Sequence, residues 1–279
     1  MQVVANAKIN LSLNVKSREA NGYHMLDSIM VPLEFGDVLM IEEIHEDTYL
    51  TSNVTGIPLD ESNLVMKAYR FMQAHYGIDK RFHIHIEKEI PSQAGLGGGS
   101  SDAGALIRFL LDYCKIEEHL EDVALKSVEI GADLPFCVLN MPRRVEGIGE
   151  ISHSIGVSSL SQYHVLLVKP YEGVSTKVAY ETLDLKKCAH PNIDELVMAL
   201  TSDNLFNLGN SLEQSAFELV PHIKEIKDML IELGFEYSMM SGSGSCVFGL
   251  TKSESVLSKG FNYFKEKEEF VKKTRIICE

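Results

Sequence analysis

The chain has 279 residues, 45% of them hydrophobic, and a net charge of −14. That length suits two domains or one large one, and the apolar share fills a proper core. So acidic a chain is a poor partner for a nucleic-acid backbone, and an anionic substrate would need a locally positive pocket.

Met1 leads straight into a strand pattern rather than a signal peptide. In VVANAKINLSLNV (3–15), Val3, Ala5, Ala7, Ile9, Leu11, Leu13 and Val15 share one parity. Asn6, Lys8, Asn10, Ser12 and Asn14 share the other, so period two puts them on the opposite face. Asparagine is depleted in strands, and three on one face beside a lysine predict a lined pocket rather than a solvated face. Asn21-Gly22 is a turn signal, after which Tyr23 and His24 present an aromatic ring and a two-ended hydrogen-bonder. Alone, that pair reads as partly buried core. RFHIHIEKEI (81–90) alternates, with Phe82, Ile84 and Ile86 against His83, His85 and Glu87. It predicts a half-buried strand, with the two histidines as its polar face rather than a metal pair.

Directly after comes EIPSQAGLGGGSSDAGALIRFL (89–110). Ala103, Leu106, Ile107, Leu110, Leu111 and Cys114 recur at helical spacing, with Ser100 or Ser101 the expected N-cap and Asp102 in the first turn. Strand, glycine loop and helix N-terminus together make an anion site, most often for phosphate. Neither common fingerprint applies. No lysine follows Gly99, and Ser100 stands where a dinucleotide motif needs its third glycine.

In DVALKSVEIGADLPFCVL (122–139), Val123, Ala124, Val128 and Ile130 trace a helix face and Gly131 is the expected C-cap. Asp133 stands among apolar neighbours, either as the N-cap of the next helix or as a titratable site group. The Ser-rich VSSLSQ (157–162) is the expected boundary between domains 1–158 and 159–279. YHVLLVKP (163–170) reads as a buried strand, and GVSTKVAYETLD (173–184) opens a helix at Ser175 or Thr176. Ser241-Gly242-Ser243-Gly244-Ser245 separates two strand-like runs and alone is a hairpin turn. SKGFNYFKEKEEFVKK (258–273) reads as an amphipathic surface helix. The cysteines, Cys114, Cys137, Cys188, Cys246 and Cys278, are scattered without a C-x-x-C pair, as reduced thiols of a cytoplasmic protein would be.

PSQAGLGGGSSDAGA (91–105) closely resembles the phosphate-binding motif of the GHMP kinases, the galacto-, homoserine, mevalonate and phosphomevalonate kinases. The triple glycine with SSDA is most similar to the branch that phosphorylates the erythritol 2-hydroxyl of a cytidine diphosphate alcohol in non-mevalonate isoprenoid synthesis. AKINLSLNV, the Gly-Tyr-His segment, GADLPF, NSLEQSAFELVPHI and SGSGS resemble further family motifs in order along the whole chain.

The resemblance implies an α+β, two-domain GHMP kinase fold. Its N-terminal domain would be like ribosomal protein S5 domain 2 and its C-terminal domain ferredoxin-like. Lys8 and Asp133 would be catalytic, the aspartate as base on the hydroxyl and the lysine beside both. ATP phosphates would lie on Pro91, Ala94, Gly95 and Leu96, then on Gly97, Gly98, Gly99, Ser100 and Ser101. Asn63, Leu64 and Lys88 would border the adenine. Asn10, Tyr23, His24, Tyr180, Gly242 and Ser243 would hold the acceptor, Tyr23 and Tyr180 stacking on the cytosine. Mg²⁺ would arrive on the ATP phosphates, with Ser100 able to join it and no dedicated metal site. The expected partners are small molecules, without nucleic acid or membrane, for a monomer or homodimer. The chain departs from the family wording at Met25, Asn140-Met141 and Ser211, nearer the acceptor side than the phosphates. Other readings are a different small-alcohol kinase of this family, or a non-catalytic relative, which would have no need of Lys8 and Asp133.

Overall fold

The computed structural model describes residues 1–20, 22–202 and 207–278; Asn21, half of the expected turn pair, lies outside them. Two compact units interleave along the chain. One comprises Met1–Lys8, Phe35–Ile90 and Gly97–Asn140, the other Ile9–Glu34, Pro91–Leu96 and Met141–Glu279. The N-terminal alternation folds as β1 (Gln2–Arg18), followed by the long β2 (His24–Ile44). Each strand begins in one unit and ends in the other.

In the first unit, β3 (Tyr49–Ser52) is followed by α1 (Leu64–Tyr76) and β4 (Arg81–Glu87). β4 pairs antiparallel with β2, Val38 opposite Glu87 and Ile44 opposite Arg81, and parallel with β3. Its period is the expected one: Phe82, Ile84 and Ile86 are fully buried while His83 and His85 are only half so. Tyr69 of α1 meets Phe82 edge-on with ring centroids 6.3 Å apart. Phe109, from α2 (Gly98–Tyr113), meets the same ring at 6.1 Å. Burying side chains of this size stabilises the layer by about 1.5–3 kcal/mol each. α3 (Leu120–Lys126) and α4 (Leu134–Leu139) complete the unit.

Two expected boundaries shift. α2 begins at Gly98, not at the serines, because Gly97 takes the left-handed N-cap conformation and the glycines form the first turn. Asp102 therefore falls in the second turn. α3 stops at Lys126, before Gly131, where the Ser127 hydroxyl donates to the Ala124 carbonyl at 2.6 Å and the chain tightens into a 3₁₀ turn.

In the second unit, the first half of β2 pairs with β5 (Arg143–Gly147), and β5 pairs with β6 (Ile151–Ser154). Asp27 on β2 is 3% exposed. It accepts from Arg144 Nε and Nη2 at 2.9 and 2.8 Å and pairs with Lys16 Nζ at 2.8 Å, tying β1, β2 and β5 together.

The rest of this unit contains β7 (His164–Lys169), α5 (Thr176–Thr182), α6 (Ile193–Thr201), α7 (Glu213–Leu219) and α8 (His222–Leu233). Then come β8 (Tyr237–Met240), β9 (Val247–Thr251), α9 (Glu254–Phe264) and β10 (Phe270–Arg275). The antiparallel sheet runs β10-β7-β9-β8, the split βαβ order of a ferredoxin-like fold. Leu13 and Val15 of β1 join Leu166, Val168, Ile226 and Phe235 in its core. The terminal segment is not one helix. α9 ends at Phe264, and 270–275 form a strand because a full ladder against β7, Phe270 opposite Lys169, overrides the helical period. Among the described residues no helix is long and apolar enough to cross a membrane.

Candidate active site

On the polar face of β1, Lys8 and Asn10 are 4% exposed and Ser12 not at all, while Asn6 and Asn14 are only partly buried. Lys8 Nζ lies 3.6 Å from Asp133 Oδ2. Asp133 occupies the N-cap position of α4, yet its side chain makes no capping hydrogen bond. The carboxylate thus serves no helix end, and with 47% of its side chain exposed it is open to a ligand.

Both ends of this arrangement are held. Arg108 on α2 donates to the carbonyls of Cys137 and Val138. A Cβ at Gly104 would stand 2.6 Å from the Cys137 backbone, so α4 rests directly on α2. Asn140 closes α4 in the left-handed region at φ 49°, which asparagine tolerates, and donates to Asn6 Oδ1 on β1 at 3.0 Å. That accounts for one family departure.

Gly97, at φ 74°, starts α2 over the lysine stem: a Cβ there would lie 2.9 Å from Lys8 Cγ. No side chain caps this helix. Its leading amides, on Gly98, Gly99 and Ser100, have no acceptor within the helix, and the helix dipole adds partial positive charge. An uncapped glycine turn beside a buried ammonium fits a polyphosphate. Ser101 is turned away, its hydroxyl 3.8 Å from Cys137 Sγ and its N–H closing on the Gly97 carbonyl at 2.8 Å. Leu64 approaches Gly99, and Asn63 caps α1 by accepting from Val65 N at 2.8 Å.

Lys88 does not point outward. Its ammonium lies between Asp37 and Asp102, both buried. Burial works against that charge, but the two carboxylates outweigh it and hold Lys88 above the usual lysine range. Sequence reading missed Asp37. Its only signal was an aspartate next to Gly36, ahead of the apolar run 38–41.

In the second unit, Pro91–Leu96 is strapped by the 241–245 loop, which is therefore more than a hairpin turn. Ser245 and Cys246 donate their N–H groups to the carbonyls of Gln93 and Ala94 at 3.0 and 3.2 Å. Ser241 Oγ donates to the Gly95 carbonyl at 3.0 Å, and a Cβ at Gly95 would collide with the Ser241 carbonyl. Asn210, also missed, holds the strap by donating to the carbonyls of Met240 and Gly242 at 2.9 and 2.8 Å. Ser243 shares a 2.8 Å hydrogen bond with Thr176, and Asn10 donates to Ser28 Oγ at 2.9 Å.

His24 and Tyr180 come together with ring centroids 4.9 Å apart, tilted by 34°. Burial and nearby Arg18 hold the His24 ring below the usual histidine range, which keeps it a neutral donor–acceptor. Tyr23 is 59% exposed. The departure at Ser211 is structural: fully buried, its hydroxyl accepts from Val15 N at 3.0 Å and donates to the Ala189 carbonyl at 2.7 Å.

A buried lysine beside a half-exposed carboxylate at an uncapped glycine turn, with a ferredoxin-like unit in the same chain, is the arrangement of a phosphotransferase. The pattern described as the GHMP kinases N terminal domain matches residues 63–140, and the GHMP kinases C terminal pattern matches 187–269. The chain belongs to the GHMP kinase family. A 4-diphosphocytidyl-2-C-methyl-D-erythritol kinase of Clostridium kluyveri is 40% identical over 89% of this chain and 90% of its own length. One from Clostridium botulinum is 37% identical over 98% of this chain and 99% of its own. A crystal structure of 4-(cytidine 5'-diphospho)-2C-methyl-D-erythritol kinase superposes with a TM-score of 0.82 and 28% identity, covering 99% of both chains.

Proposed function

We propose that this protein transfers the γ-phosphoryl group of ATP to the 2-hydroxyl of 4-diphosphocytidyl-2-C-methyl-D-erythritol, a step of non-mevalonate isoprenoid synthesis. The observation that carries it is the Lys8–Asp133 pair beneath Gly97, which puts a base, a cation and a phosphate cradle within one compact unit. The acceptor oxygen attacks the γ-phosphorus and its proton passes to Asp133. The bond between the γ-phosphorus and the bridging oxygen breaks, and ADP leaves. Lys8 orients the hydroxyl and offsets charge on the transferring group.

The amides of Gly98 to Ser100 hold the phosphates, with Pro91 to Leu96 as the strapped approach. Mg²⁺ would be carried on those phosphates, with Ser100 the first-turn hydroxyl suited to it, and would supply charge neutralisation. Among the described residues no group of three or more His, Cys, Asp or Glu side chains is placed to hold a metal by itself. Asn63 and Leu64 border the adenine, whereas Lys88, expected beside them, is held between Asp37 and Asp102. Asn10, Tyr23, His24, Tyr180, Gly242 and Ser243 bind the acceptor, the neutral His24 reading the cytosine edge. The catalytic domain is 1–158 and the second domain 159–279, a boundary between the two matched regions. The setting is the cytoplasm, for a monomer or homodimer.

A coupled ADP-release assay tests this with the cytidine compound, its uridine analogue, methylerythritol, mevalonate and homoserine. The cytidine compound should be phosphorylated far faster than the rest, since a buried donor left unpaired penalises the wrong base. Equal rates with the uridine analogue would refute base recognition, and a preference for mevalonate or homoserine would move the acceptor.

A further inference from the structure

We infer that Asp37, Lys88 and Asp102 are positioning residues of the nucleotide site, a buried brace that fixes the first turn of α2 from beneath. The inference rests on the phosphate-site reading above. β4 leaves the sheet after Glu87; Lys88 N donates to Asn53 Oδ1 at 2.8 Å, and the two main-chain donors after it would lose their ladder partners. The Asp37 carboxylate takes them over: Oδ1 accepts from Glu89 N at 2.6 Å and Ile90 N at 2.8 Å. Oδ2 of the same group accepts from Lys88 Nζ, which also donates to Asp102 Oδ2 at 2.8 Å on the second turn of α2. The Lys88 ammonium would lie 3.2 Å from a Cβ at Gly98, so the amide-bearing turn sits on it. The strand exit, the lysine and the helix start are thus tied by one charge-assisted chain.

Asp102 has no place beneath an anion site unless its charge is offset. Its side chain is 4% exposed, and its Oδ1 has no hydrogen-bond partner among the described residues. Burial pushes its carboxyl up to about 8 against the pull of Lys88. The three groups together sit close to neutrality and therefore do not repel phosphate. Without Lys88, two buried carboxylates would face the turn with no cation between them.

The full chain is measured as wild type and as Lys88→Met, Lys88→Arg and Asp37→Asn, each checked by thermal melting. Three quantities are read: binding of inorganic tripolyphosphate, KM for ATP and acceptor, and kcat. Lys88→Met should weaken tripolyphosphate and raise KM for ATP about tenfold, equivalent to about 1.4 kcal/mol. The acceptor KM should hold and kcat should stay within about threefold, because the chemical pair is untouched. Asp37→Asn should shift the same quantities in the same direction, and Lys88→Arg should restore most of the loss. Weaker ATP with unchanged tripolyphosphate would overturn the inference in favour of an adenine contact by Lys88. Unchanged binding of both would reduce the trio to packing. Should Lys88→Met not fold, the isosteric Asp37→Asn decides on the same readouts. A wild-type chain that binds neither ligand would sink the phosphate-site reading itself, before any variant is compared.

Discussion

At Asp133 the position and the chemistry separate cleanly, because the residue sits where a cap belongs and does not cap. Asp133→Asn should therefore leave the fold and nucleotide affinity nearly unchanged while turnover falls by about 10²–10⁴-fold, the range of a general base. Turnover against ADP affinity checks it, and retained turnover would remove the base assignment. Gly97→Ala acts differently. Its φ of 74° disfavours any side chain by about 1–2 kcal/mol, and the added carbon presses on the Lys8 stem. KM for ATP should rise on the order of tenfold, with a small loss of melting temperature. Lys8 and Asp133 stood out because each breaks a local rule, a lysine on a strand's asparagine face and an aspartate in an apolar run, but it was the family resemblance that paired them. Asp37, Lys88 and Asp102 were not legible as a group. They come from three separate segments, and only tertiary packing makes them neighbours.

Element packing decides where α4, and so Asp133, stands. Gly104→Val should force α4 off α2, since even a Cβ would press on the Cys137 backbone at 2.6–2.7 Å. Overpacking of this kind costs about 1–3 kcal/mol or more. Activity should fall further than melting temperature alone accounts for, because the lysine–aspartate spacing opens. Normal kcat in a folded Gly104→Val chain would show that α4 can shift without moving the carboxylate. Elements with strict periodicity, β1 and β4 above all, were readable in sequence. Element ends were harder to read. α2 gained a turn because glycine, poor inside helices, was fixed by a left-handed residue before it. The last segment lost half its helix to a strand, because pairing with β7 outbid a helical pattern that charge and hydrophobicity also allow.

At the scale of the whole molecule, Asp27 is a pH-sensitive tie. Burial raises its carboxyl, but hydrogen bonds and charge from Arg144 and Lys16 win, holding it below the usual aspartate range. A depressed folded-state value means the contribution is complete above the unfolded value, near pH 4, and is lost as pH falls through the folded one. Asp27→Ala leaves Arg144 with only Asp194 and Glu146 and should destabilise the protein by roughly 1–3 kcal/mol at neutral pH. It should also flatten the acid limb of the melting-temperature profile. An acid limb as steep as wild type would place the acid sensitivity elsewhere.

β1 and β2 run through both compact units, and this bears on how the chain is made. The main chain of Leu13 binds Gly209, Pro32 accepts from Ile277, and Leu33 bridges to Ile276. A ribosome delivers these early donors and acceptors long before their partners. The strands of residues 9–34 pair with each other and with β5 but wait for these later partners until residues 209–277 have been made, a state prone to wrong pairing. Nascent chains should resist proteolysis only once residue 277 is available to pair, and chains stopped at residue 269, lacking β10, should be chaperone clients rather than folded intermediates.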